Sequence, residues 1–262
     1  MSNYLLACIA VFIFFYSISL LYITIFYHRC LAHRALVLHP VFEKFLWKTS
    51  CWVTGIEPKA WVCMHRLHHR HSDTQKDPHS PAHSGFFKLF ISQSLYYEEI
   101  LKKIRNYDPE TLEEIADIDY PLHPLHQKEG FVWLTPYFLH GAIALSIALS
   151  TGLWAISLCY YFGLTAHPFQ GWAVNSFGHA IGYRNFALPD QSTNNSFVAY
   201  AVMGEGFQNN HHRYPDSPKF SVKPYEFDIG YMFCLILRTI KLADFDTPKL
   251  GQEKLDTHKE MS

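Results

Sequence analysis

Charge is missing from two long stretches of this chain and dense between them. From Tyr4 to Tyr27 no Asp, Glu, Lys or Arg occurs, and Leu, Ile and Phe dominate. Wound as a helix at ~1.5 Å per residue, a run of that length crosses the ~30 Å hydrocarbon layer of a bilayer. A cleavable signal peptide would need a basic start and a small-residue cleavage site. Neither occurs, so the pattern predicts a transmembrane anchor over residues 4–27. A second uncharged tract runs from Gly130 to Tyr183. It is long enough for two crossings, predicted over residues 131–149 and 153–178, with Ser150, Thr151 and Gly152 as the turn. Pro168 is expected to kink the later helix, as neighbouring helices allow in a membrane.

Two weaker apolar stretches, Val37–Ile56 and Phe227–Leu242, are broken by Glu43, Lys44, Lys48, Asp228, Arg238 and Lys241. That mixture predicts helices lying along the bilayer surface, where Trp47, Trp52 and Trp61 suit the headgroup zone. Arg29 and Arg34 follow the first span, and Arg66 and Arg70 lie in the same region, which marks the cytoplasmic side. The acidic stretch from Asp108 to Asp119 is expected to be a solvated helix face. The chain is thus predicted to be an all-α integral membrane protein of one domain, residues 1–262. Its spans lie at about 4–27, 131–149 and 153–178, its N-terminus outside. A cytoplasmic helical cap forms from residues 28–130 and 179–262.

Composition supports a chain divided between lipid and water. Charged residues make up 17%, below the usual share of about 25% for soluble domains. The mean hydropathy of −0.04 is too low for a wholly membrane-embedded chain. With 22 basic and 23 acidic residues the net charge is −1, which argues against nucleic-acid binding. The 6 cysteines occur singly with no C-x-x-C pair, the usage of a reduced compartment, with little to suggest a disulfide frame or a thiolate metal site.

The anomaly is the 17 histidines. His28 and His33 stand at the cytoplasmic end of the first span. His65, His68 and His69 form H-x-x-H-H, which points three imidazoles to one helix face. Gln208, His211 and His212 repeat that spacing with Gln in the first place. Asn175 and His179, four apart, share a face at the end of the long apolar tract. Neutral imidazole is a good ligand for iron, zinc and copper, and two such helix faces can enclose a pair of ions. His28 and His33 are about 140° apart on a regular helix, so they would serve two different metals or sit where the helix ends. Eight clustered histidines are too many for one closed tetrahedral zinc site. His39, His71, His123, His126, His140, His167 and His258 read as isolated surface or core residues, and His79 and His83 as supporting or loop residues.

These groups, in this order, resemble the membrane fatty acyl desaturases. The chain matches that family's pattern at His28–His33, His65–His69, Asn175–His179 and Gln208–His212, and in the flanking Asp77-Pro78-His79, Gly182-Tyr183-Arg184 and Gly204-Glu205-Gly206-Phe207. The resemblance spans roughly Tyr27–Tyr214 and is similar to bacterial acyl desaturases of the delta-9 kind. It implies two Fe2+ ions on the cytoplasmic face, held by His28, His33, His65, His68, His69, His179, His211 and His212. By analogy Asn175 acts through water, and Gln208, standing where the family has histidine, offers a weaker amide oxygen. The family usually has two spans before its first histidine pair, whereas this chain has room for one. The implied reaction uses O2 and a separate electron donor of ferredoxin, cytochrome b5 or flavin reductase type. It would place a cis double bond in an acyl chain carried on coenzyme A, acyl-carrier protein or phospholipid, in a bacterial cytoplasmic membrane. A hydroxylase on the same scaffold is the near alternative, and a membrane metal-binding or transport protein the remote one. Lys88, Lys102, Lys103, Arg105 and Arg184 could meet a phosphorylated carrier or anionic headgroups.

Overall fold

A computed structural model of the chain describes residues 2–77 and 79–246; Pro78 and His258 lie outside them. The first apolar run forms α1 (Ser2–Leu21), which passes directly into a π-helical segment, Tyr22–Ala32. There the backbone bonds run from residue i to i+5, the last of them from His33 N–H to His28 O at 3.1 Å. A short strand β1 (Val37–Leu38) precedes α2 (Pro40–Thr54). His39 caps the start of α2, and Gly55 ends it in the left-handed conformation at φ 74°, the usual way to terminate a helix. Glu57 caps α3 (Pro58–His71), whose first residue is a proline as helix starts favour.

Next come α4 (Pro81–Ser84), α5 (Leu89–Arg105) and α6 (Pro109–Glu113). The uncharged tract then forms three helices: α7 (Thr135–Thr151), α8 (Trp154–Leu164) and α9 (His167–Gly178). The kinked helix expected over 153–178 is therefore a broken one. Thr165 and Ala166 separate α8 from α9, and Pro168 sits in the first turn of α9, where its missing N–H has no partner to lose. Residues 3–32 and 132–151 are long and apolar enough to cross a membrane, while α8 has only 11 residues. The last elements are α10 (Ser196–Ala201), α11 (Gln208–Arg213), α12 (Ile229–Thr239) and β2 (Ala243–Asp244), which pairs antiparallel with β1.

α8 lies along both α1 and α7, and these three helices turn Leu6, Phe14, Phe138, Leu149 and Phe162 outward. The main core gathers Phe26, Tyr27 and Leu31 of the π segment with Val62 and Cys63 of α3 and Leu101 of α5. α5 and the π segment thus hold α3 from two sides.

The basic residues near the first span are engaged rather than free. Arg29 is fully buried, pairing with Glu205 at 2.9 Å and Asp228 at 3.2 Å, and its guanidinium lies 3.8 Å over the Phe220 ring. Arg34 and Arg66 both clasp Asp117, and Arg70 pairs with Glu114. Within the stretch from Asp108 to Asp119, Glu110, Glu113 and Asp119 are exposed, as a solvated face requires, while Glu114 and Asp117 meet these arginines and tie the stretch to α3.

Candidate metal centre

All eight clustered histidines converge, and they sort into two donor groups. One nitrogen from each of His28, His33, His65, His69 and His211 lies within 4.8 Å of the others; His68, His179 and His212 form a second set by the same measure. α3 serves both, since His65 and His69 sit one turn apart while His68 turns to the other side. α11 divides its neighbours likewise, His211 to the first group and His212 to the second. Within the second group His68 Nε2 is 3.2 Å from His212 Nε2; the two groups adjoin, the His69 and His212 rings being 4.5 Å apart.

Of the two readings of His28 and His33, serving two different metals or sitting where the helix ends, the second holds: the π segment stops at Ala32 with His33 as its cap. Bonds from i to i+5 widen each turn by one residue, so residues five apart return to one face. Their rings lie 4.9 Å apart in the same group.

Four carboxylates stand behind the histidines. Glu205 accepts from His28 Nδ1 at 2.6 Å, Asp77 from His68 Nδ1 at 2.9 Å, Asp73 from His179 Nδ1 at 3.0 Å and Asp190 from His212 Nδ1 at 2.9 Å. An ionised carboxylate only accepts, so each Nδ1 carries the proton and each Nε2 keeps a lone pair. Burial would raise Asp77 and Glu205, but the hydrogen bonds from His68 and His28 and the charge of Arg29 hold both below the usual carboxylate range. Burial, reinforced by neighbouring histidines, holds His33, His65, His69 and His211 well below the ordinary 6.5. Burial also takes His212 down to about 4, against the pull of Asp190. These rings are neutral imidazoles near pH 7.

The arrangement fits metal ions and little else. The facing Nε2 atoms of His68 and His212 both hold lone pairs, which repel unless a cation lies between them. His179 Nε2 is buried without a hydrogen-bond partner, an arrangement that is costly unless something binds it. Nitrogen-rich donor sets of this kind suit first-row transition ions over magnesium or calcium. Each group can hold one ion.

Asn175 and Gln208 reach the same locality. The Asn175 amide meets His79 Nδ1 at 2.9 Å, and Gln208 Nε2 donates to the Glu205 carbonyl at 2.7 Å. His79, read from sequence as a supporting or loop residue, is buried with its ring 5.6 Å from that of His68. His83 stays outside, bonded to the Asp73 carbonyl. Asn175, Gln208, His79, His28 and His65 share the wall of a cavity of about 330 Å³ whose remaining lining is largely apolar, including Ile56, Phe90 and Val174. The cavity also reaches Trp133, Tyr137 and His167. Sequence reasoning missed the roles of Asp73 and Asp190, which come from loops without periodic signal. Asp77 and Glu205 stood in recognised flanking text but were given no role.

The fatty acid desaturase family model matches residues 3–225. An sn-1 stearoyl-lipid 9-desaturase of Anabaena variabilis is 31% identical over 245 residues, 92% of this chain and 85% of that protein. An icosanoyl-CoA 5-desaturase of Limnanthes douglasii is 27% identical over 87% of this chain, which spans only 61% of that enzyme's length. A hex-5-enoyl-[acyl-carrier protein] acetylenase of Moorena producens is 27% identical over 94% of the chain and 78% of the relative. The histidine spacings, the two donor groups beside an apolar cavity and these likenesses agree: the chain belongs to the fatty acid desaturase family and is an oxidoreductase.

Proposed function

We propose that this protein is a membrane-embedded, O2-dependent desaturase that places a cis double bond, at the delta-9 position, in a saturated fatty acyl chain. The observation that carries this reading is that His28 and His65, members of the first donor group, form part of the wall of the apolar cavity. An acyl chain there would lie against the metal ligands with water excluded. The position of the double bond is supported by the 9-desaturase of Anabaena variabilis. The reaction balances as –CH2–CH2– with O2, two electrons and two protons giving –CH=CH– and two waters, the electrons coming from a separate donor protein.

His28, His33, His65, His69 and His211 would hold one iron; His68, His179 and His212 the other, with Asn175 and Gln208 completing the second set. Iron there supplies the oxidising power that abstraction of hydrogen from an unactivated methylene requires and a general base lacks. The chain's own part is positional. Glu205, Asp77, Asp73 and Asp190 keep four Nδ1 atoms protonated, which fixes the Nε2 lone pairs toward the ions. The Asn175–His79 bond orders the cavity wall beside them. α1 and α7 would cross the cytoplasmic membrane and the shorter α8, packed along both, would bring the chain back, so that the whole site lies on the cytoplasmic side. Arg34, Arg66 and Arg70 carry that orientation, because the positive-inside bias counts basic residues whether or not acids accompany them.

Lipid analysis by gas chromatography–mass spectrometry of cells expressing the chain tests this, beside a His68→Ala control. New cis-monounsaturated chains, absent in the control, are expected. Hydroxylated chains in their place would reassign the reaction, and an unchanged profile from an iron-loaded protein supplied with reductase would refute it.

A further inference from the structure

A third group of donor atoms lies behind the cavity wall and takes no part in the chemistry above. Cys51, His123 and His126 are buried, and one donor atom from each lies within 4.8 Å of the others. They come from the last turn of α2 and the short turn at Pro124–His126. His126 Nε2 lies 3.3 Å from the Gly55 carbonyl. A carbonyl only accepts, so Nε2 holds the proton and Nδ1 the lone pair. That Nδ1 is buried with no hydrogen-bond partner, in a side chain with 0% exposure. A histidine whose far nitrogen donates to a backbone carbonyl while its near nitrogen is bare has the stance of a metal ligand.

Glu57 stands beside them, also at 0% exposure. Its Oε2 is 3.9 Å from the Cys51 sulfur and accepts the His123 backbone N–H at 2.9 Å; Oε1 accepts the Lys59 N–H at 3.3 Å. Among the described residues no basic side chain pairs with this carboxylate. A buried anion is costly without a cation. One thiolate, one carboxylate and a divalent ion sum to zero charge.

We infer that Cys51, His123, His126 and Glu57 form a separate structural site for a divalent cation of the zinc type. Sulfur and two imidazoles favour zinc over magnesium or calcium, and the neighbouring Glu57 carboxylate would supply the fourth donor of a closed structural site. The site would fasten the turn at 123–126 to the α2–α3 junction. Ile56 and Tyr97, which line the acyl cavity, rest directly on it: Cys51 Sγ touches the Ile56 carbonyl at 3.3 Å and Glu57 N–H meets Tyr97 Oη at 2.8 Å. An ion here would stiffen that wall.

Sulfur makes the site distinguishable, because the histidine clusters contain none. The full chain, purified in detergent, would be loaded with cobalt(II) and its near-ultraviolet thiolate-to-metal absorption recorded, with zinc content measured in parallel. The wild type should show the band and hold one ion beyond those of the histidine clusters. Cys51→Ser and His126→Gln should each lose that ion and the band; His68→Ala should keep the band. A wild type without the band overturns the proposal, and that spectrum needs no variant to fold. A band of undiminished strength in Cys51→Ser also overturns it.

Discussion

Asp77 shows how a residue outside the donor groups controls them. Its carboxylate receives the His68 Nδ1 proton and also the backbone N–H groups of Asp73 and His79. Asp77→Asn keeps the shape but removes the charge, and supporting residues of this kind are worth roughly 10–100-fold in metal affinity. Chelator competition on the purified protein should show a loss of that order with the fold retained. Gln208→His should act in the opposite sense, tightening the second ion, and the same titration checks it. pH supplies another handle. Burial takes His79 down to about 3 and His212 to about 4, whereas the unfolded rings titrate near 6.5. Between those values the unfolded chain binds more protons, so stability is full above about pH 6.5 and falls as the pH drops toward 4. A melting temperature that stays level or rises over that range would contradict the burial. His28, His33 and His179 came as ligands with the family resemblance; His65, His68, His69, His211 and His212 were legible because H-x-x-H-H, with or without Gln in its first place, has one geometric meaning on a helix. Their carboxylates were not: Asp190 lies 22 residues from His212 and Asp73 lies 106 from His179, joined by folding alone.

Among the elements, the π segment departs most from what spacing implies. A regular helix would separate His28 from His33; the i to i+5 bonding reunites them, and hydrophobicity carries no trace of that choice. Deleting one residue before His28, for example Ile25, would rotate that histidine off the site and lose the five-histidine ion while leaving the 68/179/212 set intact. Metal stoichiometry would register the difference. The break between α8 and α9 was partly legible, since Pro168 signalled a disturbance. What no local rule revealed is that the chain restarts a helix there, with Pro168 in its first turn. Close approach constrains the site's loops too. At Gly206 a Cβ would collide with the Ala199 backbone, which explains why the Gly-Glu-Gly-Phe loop uses glycine there.

For the whole molecule, a polar centre is set on an apolar cavity, and the long apolar helices α1 and α7 were readable while the partners of the basic cluster were not. Gly171 on α9 lines the cavity, and a Cβ there would meet only Gln93 Oε1, at 3.8 Å. Gly171→Leu should therefore fold, hold its metal and narrow the space. Product from long acyl chains should fall several-fold while iron content is unchanged; a fall in both would place the damage in the fold. Arg29 has a different reach. It sits in the π segment that continues α1, yet its counter-charges arrive 176 and 199 residues later. At ~5–20 residues per second the ribosome takes roughly 10–40 s to supply them. Through that interval Arg29 has no counter-charge and the π segment cannot reach its final packing. Assembly is thereby timed by Glu205 and Asp228, and a nascent protein stopped before Asp228 would remain an open, protease-sensitive form however well α1 is seated.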